Sequence, residues 1–217
     1  MRKYVVMGPQ GSGKGTQAKL LREGTEIVHI SVGDILRWNI QSHTKLGAAI
    51  ARTVADGHLV SDDVIESVVK TRLDQHDWNF GFVIDGFPRN ERQALFFLES
   101  YDITAVLEID VPDSVVTERI LARRLCSECG LDYNLIHSRP AVPDRCDVCG
   151  GVLKPREDDE PDAIARRLQE YRERNQPILE LFRKKGLVLR FDGELPIDTL
   201  QAEIRSQLSL PRRVLAG

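Results

Sequence analysis

The sequence predicts an α/β fold: a parallel sheet with a phosphate-binding loop at one end, interrupted by inserted parts. Three observations predict it. Short apolar runs alternate with segments of helical period along most of the chain, the pattern of parallel strands joined by right-handed crossover helices. Gly8-Pro-Gln-Gly-Ser-Gly-Lys-Gly-Thr16 follows the first such run and opens the first helical segment, which is the context a phosphate-cradling glycine loop requires. Residues 125–157 break the rhythm, holding all four cysteines, three of the ten prolines and little helical periodicity, the composition of a small separate module.

The elements follow in order. Lys3–Met7 is rich in β-formers and stops at Gly8, a first strand. Lys14–Arg22 reads as a helix that turns Ala18, Leu20 and Leu21 inward. Residues 27–30 make a second short strand. From Gly33 to Val60 the pattern is helical, with Ile35, Leu36, Ile40, Leu46, Ala49 and Ile50 apolar, closing on Gly57-His-Leu-Val60. Asp62 and Asp63 start a further helix through Val64, Ile65, Val68 and Val69. Phe82-Val-Ile84 is a buried strand ending at Asp85-Gly86, and Thr104–Ile109 is another. Pro112 suits the first turn of a helix, expected to run to about Arg124. Past the cysteine-bearing stretch the helical pattern resumes after Pro161, with Ile164, Leu168 and Tyr171 on one face, and Leu187–Phe191 is the last strand. No repeat or low-complexity tract interrupts this order, and Leu210–Gly217 is a tail without an assigned purpose.

Composition bounds the function. A chain of 217 residues with 41% hydrophobic and 29% charged residues is an ordinary globular domain. The net charge of −3 argues against broad nucleic-acid or membrane binding. No apolar run approaches the roughly 20 residues of a membrane span. Met1-Arg-Lys leads straight into a strand and a loop motif rather than a signal peptide. The chain is therefore expected to be cytoplasmic. Thiols stay reduced there, and paired CxxC units favour a metal over disulfides.

Backbone N–H groups of Gly11, Ser12, Gly13, Lys14, Gly15 and Thr16 are expected to converge on phosphate oxygens at a helix N-terminus, with Lys14 adding a positive charge. Glycines are needed because Cβ atoms would block the approach. The general motif places Ser or Thr directly after the lysine; Gly15 stands there, so Mg²⁺ is expected to be held by phosphates and water rather than by a hydroxyl. Cys126-Ser-Glu-Cys129 and Cys146-Asp-Val-Cys149, sixteen residues apart, have the spacing of a closed tetrahedral, structural Zn²⁺ site. Iron or cobalt would satisfy the same thiolates. Glu128, Asp144 and Asp147, without aromatic-basic interleaving, argue against a nucleic-acid-binding ribbon.

The motifs together resemble one family. Gly-Lys-Gly-Thr-Gln17, Ser31-Val-Gly-Asp-Ile-Leu-Arg37, Asp85-Gly-Phe-Pro-Arg89 with Gln93, Glu118-Arg119-Ile-Leu-Ala-Arg123-Arg124, Arg156-Glu-Asp-Asp159 and Arg166-Arg167 run in the order found in adenylate kinases. The chain is most similar to the long bacterial form with a zinc-binding lid. The resemblance implies a P-loop NTPase core of residues 1–30, 61–121 and 160–217, an NMP-binding insert at 31–60 and a lid at 122–159. It implies reversible, Mg²⁺-dependent transfer of the ATP γ-phosphate to AMP, giving two ADP, by a monomer with no nucleic-acid or membrane partner.

It also implies roles. Lys14 and Arg123 would bind the donor's phosphates. Arg37 and Arg89, the latter after Gly86, Phe87 and Pro88, would hold the acceptor's α-phosphate. Arg119, Arg156 and Arg167 would close from the lid side onto the transferring charge; Arg119 and Arg123, four apart, are expected to share a helix face. Asp85 would position the waters of magnesium, and Asp158 and Asp159 would orient lid arginines or cap the helix before Pro161. Gln93 would read the acceptor adenine in a pocket lined by the backbone from Gly57 through His58 and Leu59 to Val60, His58 being solvated or contacting through its backbone. Val32 stands where these kinases commonly have threonine. Asp132, Tyr133 and the backbone near Leu195 match donor-nucleoside positions. Arg22, Arg52 and Arg183 match no motif and read as ordinary surface residues. A sister kinase using UMP or GTP, and a P-loop switch whose zinc module recruits a partner, are the alternatives; phosphoryl acceptance by AMP separates them.

Overall fold

In the computed structural model the described residues are 2–55, 58, 60–77, 80–156 and 159–211. Five parallel strands form the central sheet: β1 (Lys3–Met7), β2 (Val28–Ser31), β3 (Phe82–Asp85), β4 (Ala105–Asp110) and the last strand, β8 (Val188–Asp192). Their order is β2-β3-β1-β4-β8. The helices between them are α1 (Lys14–Arg22), α2 (Val32–Gln41), α3 (Lys45–Ala55), α4 (Asp62–Asp74), α5 (Glu91–Ser100), α6 (Asp113–Leu121), α7 (Pro161–Lys184) and α8 (Ile197–Gln207). A second sheet of β5 (Arg123–Cys126), β6 (Asp132–Asn134) and β7 (Leu153–Lys154), ordered β6-β5-β7 and antiparallel, lies within the cysteine-bearing stretch.

The central sheet is covered on both faces, which is why its strands read as unbroken apolar runs. Alternation along β1 sends Val5 and Met7 into one core, with Ile84, Phe87, Phe97 and Phe182, and Tyr4 and Val6 into the other, with Leu21, Leu107 and Ile204. The long helix α7 serves both: Ile164 and Leu168 enter the second core, Ile178, Leu179 and Phe182 the first. Phe97 is fully buried between Phe82, Phe87 and Tyr101, its ring centroid 6.1, 5.2 and 4.9 Å from theirs. Truncating it removes a large apolar side chain and leaves a cavity against three rings. Phe97→Ala is expected to cost about 3–5 kcal/mol in urea unfolding; a loss under about 1 kcal/mol would mean the aromatic cluster is not close-packed.

Several boundaries differ from those the sequence suggests. The second strand is shifted by one residue, to Val28–Ser31, and the helical stretch from Gly33 to Val60 is two helices. Ser31 opens α2, its Oγ accepting from Asp34 N at 3.3 Å. The chain then breaks at His43, with φ 49°, and α3 starts beneath α2 because Gly47 lies against the end of it; a Cβ there would fall 2.0 Å from Asn39 O. Helix α6 stops at Leu121, so Arg123 lies on β5 and does not share a helix face with Arg119. The cause is tertiary. The Asn134 side-chain amide donates to Arg119 O at 2.9 Å and Leu135 N donates to Ala122 O at 2.9 Å, so the final carbonyls of α6 are satisfied by the incoming β6 segment. Arg183 is exposed as read, and its Nη2 also donates to both carboxylate oxygens of the buried Glu108 of β4, at 2.9 and 2.8 Å. Among the described residues no helix is long and apolar enough to cross a membrane.

Candidate active site and metal centre

β1 is the middle strand, with β3 and β4 on its two sides, so its carboxyl end is a point where crossovers leave in opposite directions, the usual ligand position in open α/β sheets. The loop from Gly8 to Lys14 sits there. Gly11 and Gly13 hold φ of 82° and 91°, angles that side-chain-bearing residues adopt only under strain. Gly13 stands immediately before α1, whose first turn carries no acidic residue. Its amide ends are left to face an anion.

Lys14 Nζ donates to Pro9 O at 3.2 Å. Burial pushes its ammonium below the ordinary lysine range; Asp85 pulls it back up, and Arg123, Arg89 and Arg156 push it further down. Three guanidinium groups therefore act on one lysine with one carboxylate opposing them, the electrostatics of a receptor for several negative charges. Asp85, at the end of β3, is buried. A Cβ on Gly15 would stand 3.3 Å from Asp85 Oδ2, so the missing hydroxyl after the lysine gives this carboxylate room beside the loop. Thr16 is exposed on the first turn of α1.

A cleft of about 260 Å³ opens beside the loop. Lys14, Arg37, His58, Val60, Gly86, Phe87, Pro88, Arg89, Arg156 and Arg167 line it. Arg89 is fixed at both ends: its backbone N donates to Gln93 Oε1 at 2.8 Å and its Nε to Gly86 O at 2.9 Å. Burial lowers its pKa, Asp85 and Asp62 raise it, and Arg174 lowers it. Arg37 is paired with Asp34. His58 is exposed, which fits the solvated role.

Other expected residues lie off this wall. Gln93 is fully buried behind Arg89, its Nε2 donating to Asp62 Oδ1 at 3.3 Å. Val32 is fully buried behind Gly86, whose added Cβ would meet Val32 Cβ at 3.6 Å. Arg119 Nη1 donates to Gly193 O at 2.9 Å, two residues before Leu195, and its Nε is buried without a hydrogen-bond partner. Arg123 forks onto Asp159, Nε to Oδ2 at 2.8 Å and Nη2 to Oδ1 at 2.6 Å. Of the two readings for Asp159, arginine orientation is the one its contacts fit; the residue before α7 is Glu160, without a side-chain cap. Asp132 Oδ2 lies 3.9 Å from Lys19 Nζ. Leu59, Gly57 and Asp158 lie outside the described residues.

Sequence reasoning missed four groups here. Glu170, Arg174 and Asn175 of α7 line the cleft beside Tyr171, which the sequence placed on one helix face with Ile164 and Leu168. Helical spacing was the available signal: 167, 171 and 174 share one face once Arg167 is placed. The fourth is Gln10, which joins the loop to Asp159 and Arg167.

The four cysteines come together, all their sulfur atoms within 4.8 Å of one another. Cys126 and Cys149 sulfurs are 3.4 Å apart, Cys129 and Cys146 sulfurs 3.6 Å; a tetrahedral ion with bonds of about 2.3 Å sets sulfurs roughly 3.8 Å apart. Two matching turns build the site. Gly130 N donates to Cys126 O at 3.1 Å and Gly150 N to Cys146 O at 2.9 Å, with Gly130 and Gly150 at φ 71° and 73°. The Tyr133 hydroxyl donates toward Cys146 and, with Asp147 N donating to it at 2.8 Å, is committed to this module. That contact brings Cys146 down to about 6. Leu131 N pulls Cys129 down, but Cys149 and the other thiols outweigh it and push Cys129 up to about 12. The split is what crowded thiols do, since neighbouring thiolates repel. A divalent cation would offset that repulsion, so the donor set fits a structural metal.

A family model described as adenylate kinase matches residues 6–187 of the chain. The chain is similar to an adenylate kinase of Methanocella arvoryzae, 41% identical over 210 residues that cover 94% of this chain and 97% of that protein. It is 41% identical to one of Thermotoga neapolitana, covering 94% and 96%, and 40% identical to one of Symbiobacterium thermophilum, covering 96% and 99%.

Proposed function

The chain belongs to the adenylate kinase family, and from that premise we propose how its cleft transfers the γ-phosphate of ATP to AMP, reversibly, giving two ADP. The observation that carries the residue assignment is the convergence of Lys14, Arg37, Arg89, Arg156 and Arg167 on one cleft beside the phosphate loop. Two nucleotides bring several phosphates together, and transfer between them needs cations in place before the reaction begins.

Backbone N–H groups of residues 11–16 and Lys14 hold the donor's phosphates. The backbone near Leu195 faces the donor nucleoside. Tyr133 serves the thiol cluster through its hydroxyl, so its segment contributes backbone and Asp132 to that nucleoside. Arg37 and Arg89 grip the acceptor's α-phosphate, and Gln93 sets Arg89 by holding its backbone N–H. Arg123 joins Lys14 on the donor's phosphates, and Arg119, Arg156 and Arg167 meet the transferring group. The acceptor phosphate is already ionised, so no general base is required, and His58 stays in solvent. Mg²⁺ carried with ATP neutralises phosphate charge, and Asp85 is the residue to hold its water ligands.

Residues 31–60, with α2 and α3, form the acceptor-binding part. Residues 122–159 form a lid that a zinc ion stiffens through Cys126, Cys129, Cys146 and Cys149; closing it excludes the water that would otherwise take the phosphoryl group. One cluster of four free thiols fits a reducing compartment, the cytosol. A coupled assay of Mg-ATP against AMP, CMP, UMP and GMP tests the reading. AMP is expected to be preferred by at least about 100-fold, a margin of roughly 2.7 kcal/mol. Preference for another monophosphate would move the acceptor assignment, and hydrolysis without any acceptor would sink it.

A further inference from the structure

Gln10, between Pro9 and Gly11 of the phosphate loop, spends both ends of its amide on the opposite wall of the site. Its Nε2 donates to Asp159 Oδ1 at 3.0 Å and its Oε1 accepts from Arg167 Nη1 at 3.0 Å. The same Asp159 Oδ1 accepts from Arg123 Nη2 at 2.6 Å, and the Asp159 carboxylate is buried. One side chain thus ties the loop to two arginines, one on β5 and one on α7.

We propose that Gln10 is a positioning residue for phosphoryl transfer, registering Arg123 and Arg167 to the loop that holds the donor. The inference rests on the assignment of the cleft given above. Only an amide meets the requirement. Toward the carboxylate the side chain must donate, and toward the guanidinium it must accept. Leucine does neither, and an ionised glutamate accepts but cannot donate. The charges of the two partners also fix which way round the amide lies. Arginines set this way need little reorganisation when charge shifts onto the transferring oxygens, and a misplacement of about 1 Å is enough to lose most of that benefit.

The test is steady-state kinetics of the full-length protein with Mg-ATP and AMP. Gln10→Leu, of similar size, is expected to lower kcat by about 10- to 100-fold, with both KM values within about threefold of the parent. In an Arg167→Ala background the same change is expected to cost severalfold less than in the parent, because one of its two partners is gone while the bond to Asp159 remains. Gln10→Glu is expected to be impaired at neutral pH and to recover relative to the parent as pH falls, since a protonated carboxyl regains the donor toward Asp159. A parental kcat in Gln10→Leu, full multiplicativity with Arg167→Ala, or a Gln10→Glu deficit that ignores pH would each overturn the inference. Activity of the parent with AMP tests the cleft assignment separately: an active parent with an unimpaired Gln10→Leu refutes the Gln10 role alone.

Discussion

Lys14→Met is expected to lower kcat by about a thousandfold or more while the protein stays folded. Lys14 is the one cation in the phosphate loop itself, and its only hydrogen bond among the described residues is to Pro9 O. Methionine keeps the length and the apolar stem and removes the charge. The fold does not depend on that charge. Burial lowers the lysine's pKa from 10.5, so between its folded value and 10.5 the unfolded chain binds more protons, and stability rises with pH through that window. Below it the buried cation is a standing cost. Methionine removes the cost, and the thermal midpoint is expected to match or exceed the parent's. Donor phosphates, in the proposed complex, add counter-charge to the single carboxylate, Asp85, that the protein sets against Lys14. Turnover measured beside the unfolding midpoint checks both halves; near-parental kcat would take Lys14 out of the phosphate site.

Cys146→Ser is expected to take bound metal from about one per chain to near zero and to unfold the module without unfolding the central sheet. The module cannot hold itself together by burial. Its only apolar cluster among the described residues is Cys126, Tyr133, Cys146 and Leu153, whereas ordering each residue costs about 1–2 kcal/mol. Apparent metal binding of about 10–16 kcal/mol is what such small sites draw on. Cys146 is the telling position because it also accepts the Tyr133 hydroxyl, which brings its thiol down to about 6. Elemental analysis reads the metal, and limited proteolysis within residues 127–152 reads the module. Unchanged metal content would refute the four-thiolate site.

How far all this could be read from sequence depends on where the determining contacts lie. Phe82-Val-Ile84 and Lys3–Met7 were legible because strands buried on both faces are uninterrupted apolar runs. Helix α5 was not, because residues 94–98 are all apolar and carry no period, and α8 rests on little more than Leu200 and Ile204. The end of α6 was misread because Leu121-Ala-Arg-Arg-Leu125 suits a helix locally; bonds from Asn134 and Leu135 overrule it. In the site, the arginines within motifs were legible as charges in a fixed order. Gln10 was not: it is neutral, and its partners lie 149 and 157 positions away. Gln93 was legible as a residue but not in its observed bonds, since nothing local says that its amide would hold the Arg89 backbone and Asp62.

The place of β1 in the sheet also bears on how the protein is made. The central strand is synthesised before both of its neighbours, for Lys3 aligns with Phe82 and Tyr4 with Ala105. At about 5–20 residues per second, β1 waits roughly 5–20 s for β4. Until β3 emerges its Tyr-Val-Val-Met run has neither neighbour, and until β4 emerges it has only one. Such high-contact-order pairing is slow and leaves an apolar strand open to other nascent chains. The strand at the heart of the enzyme is thus a segment that gains from a chaperone's cover during synthesis.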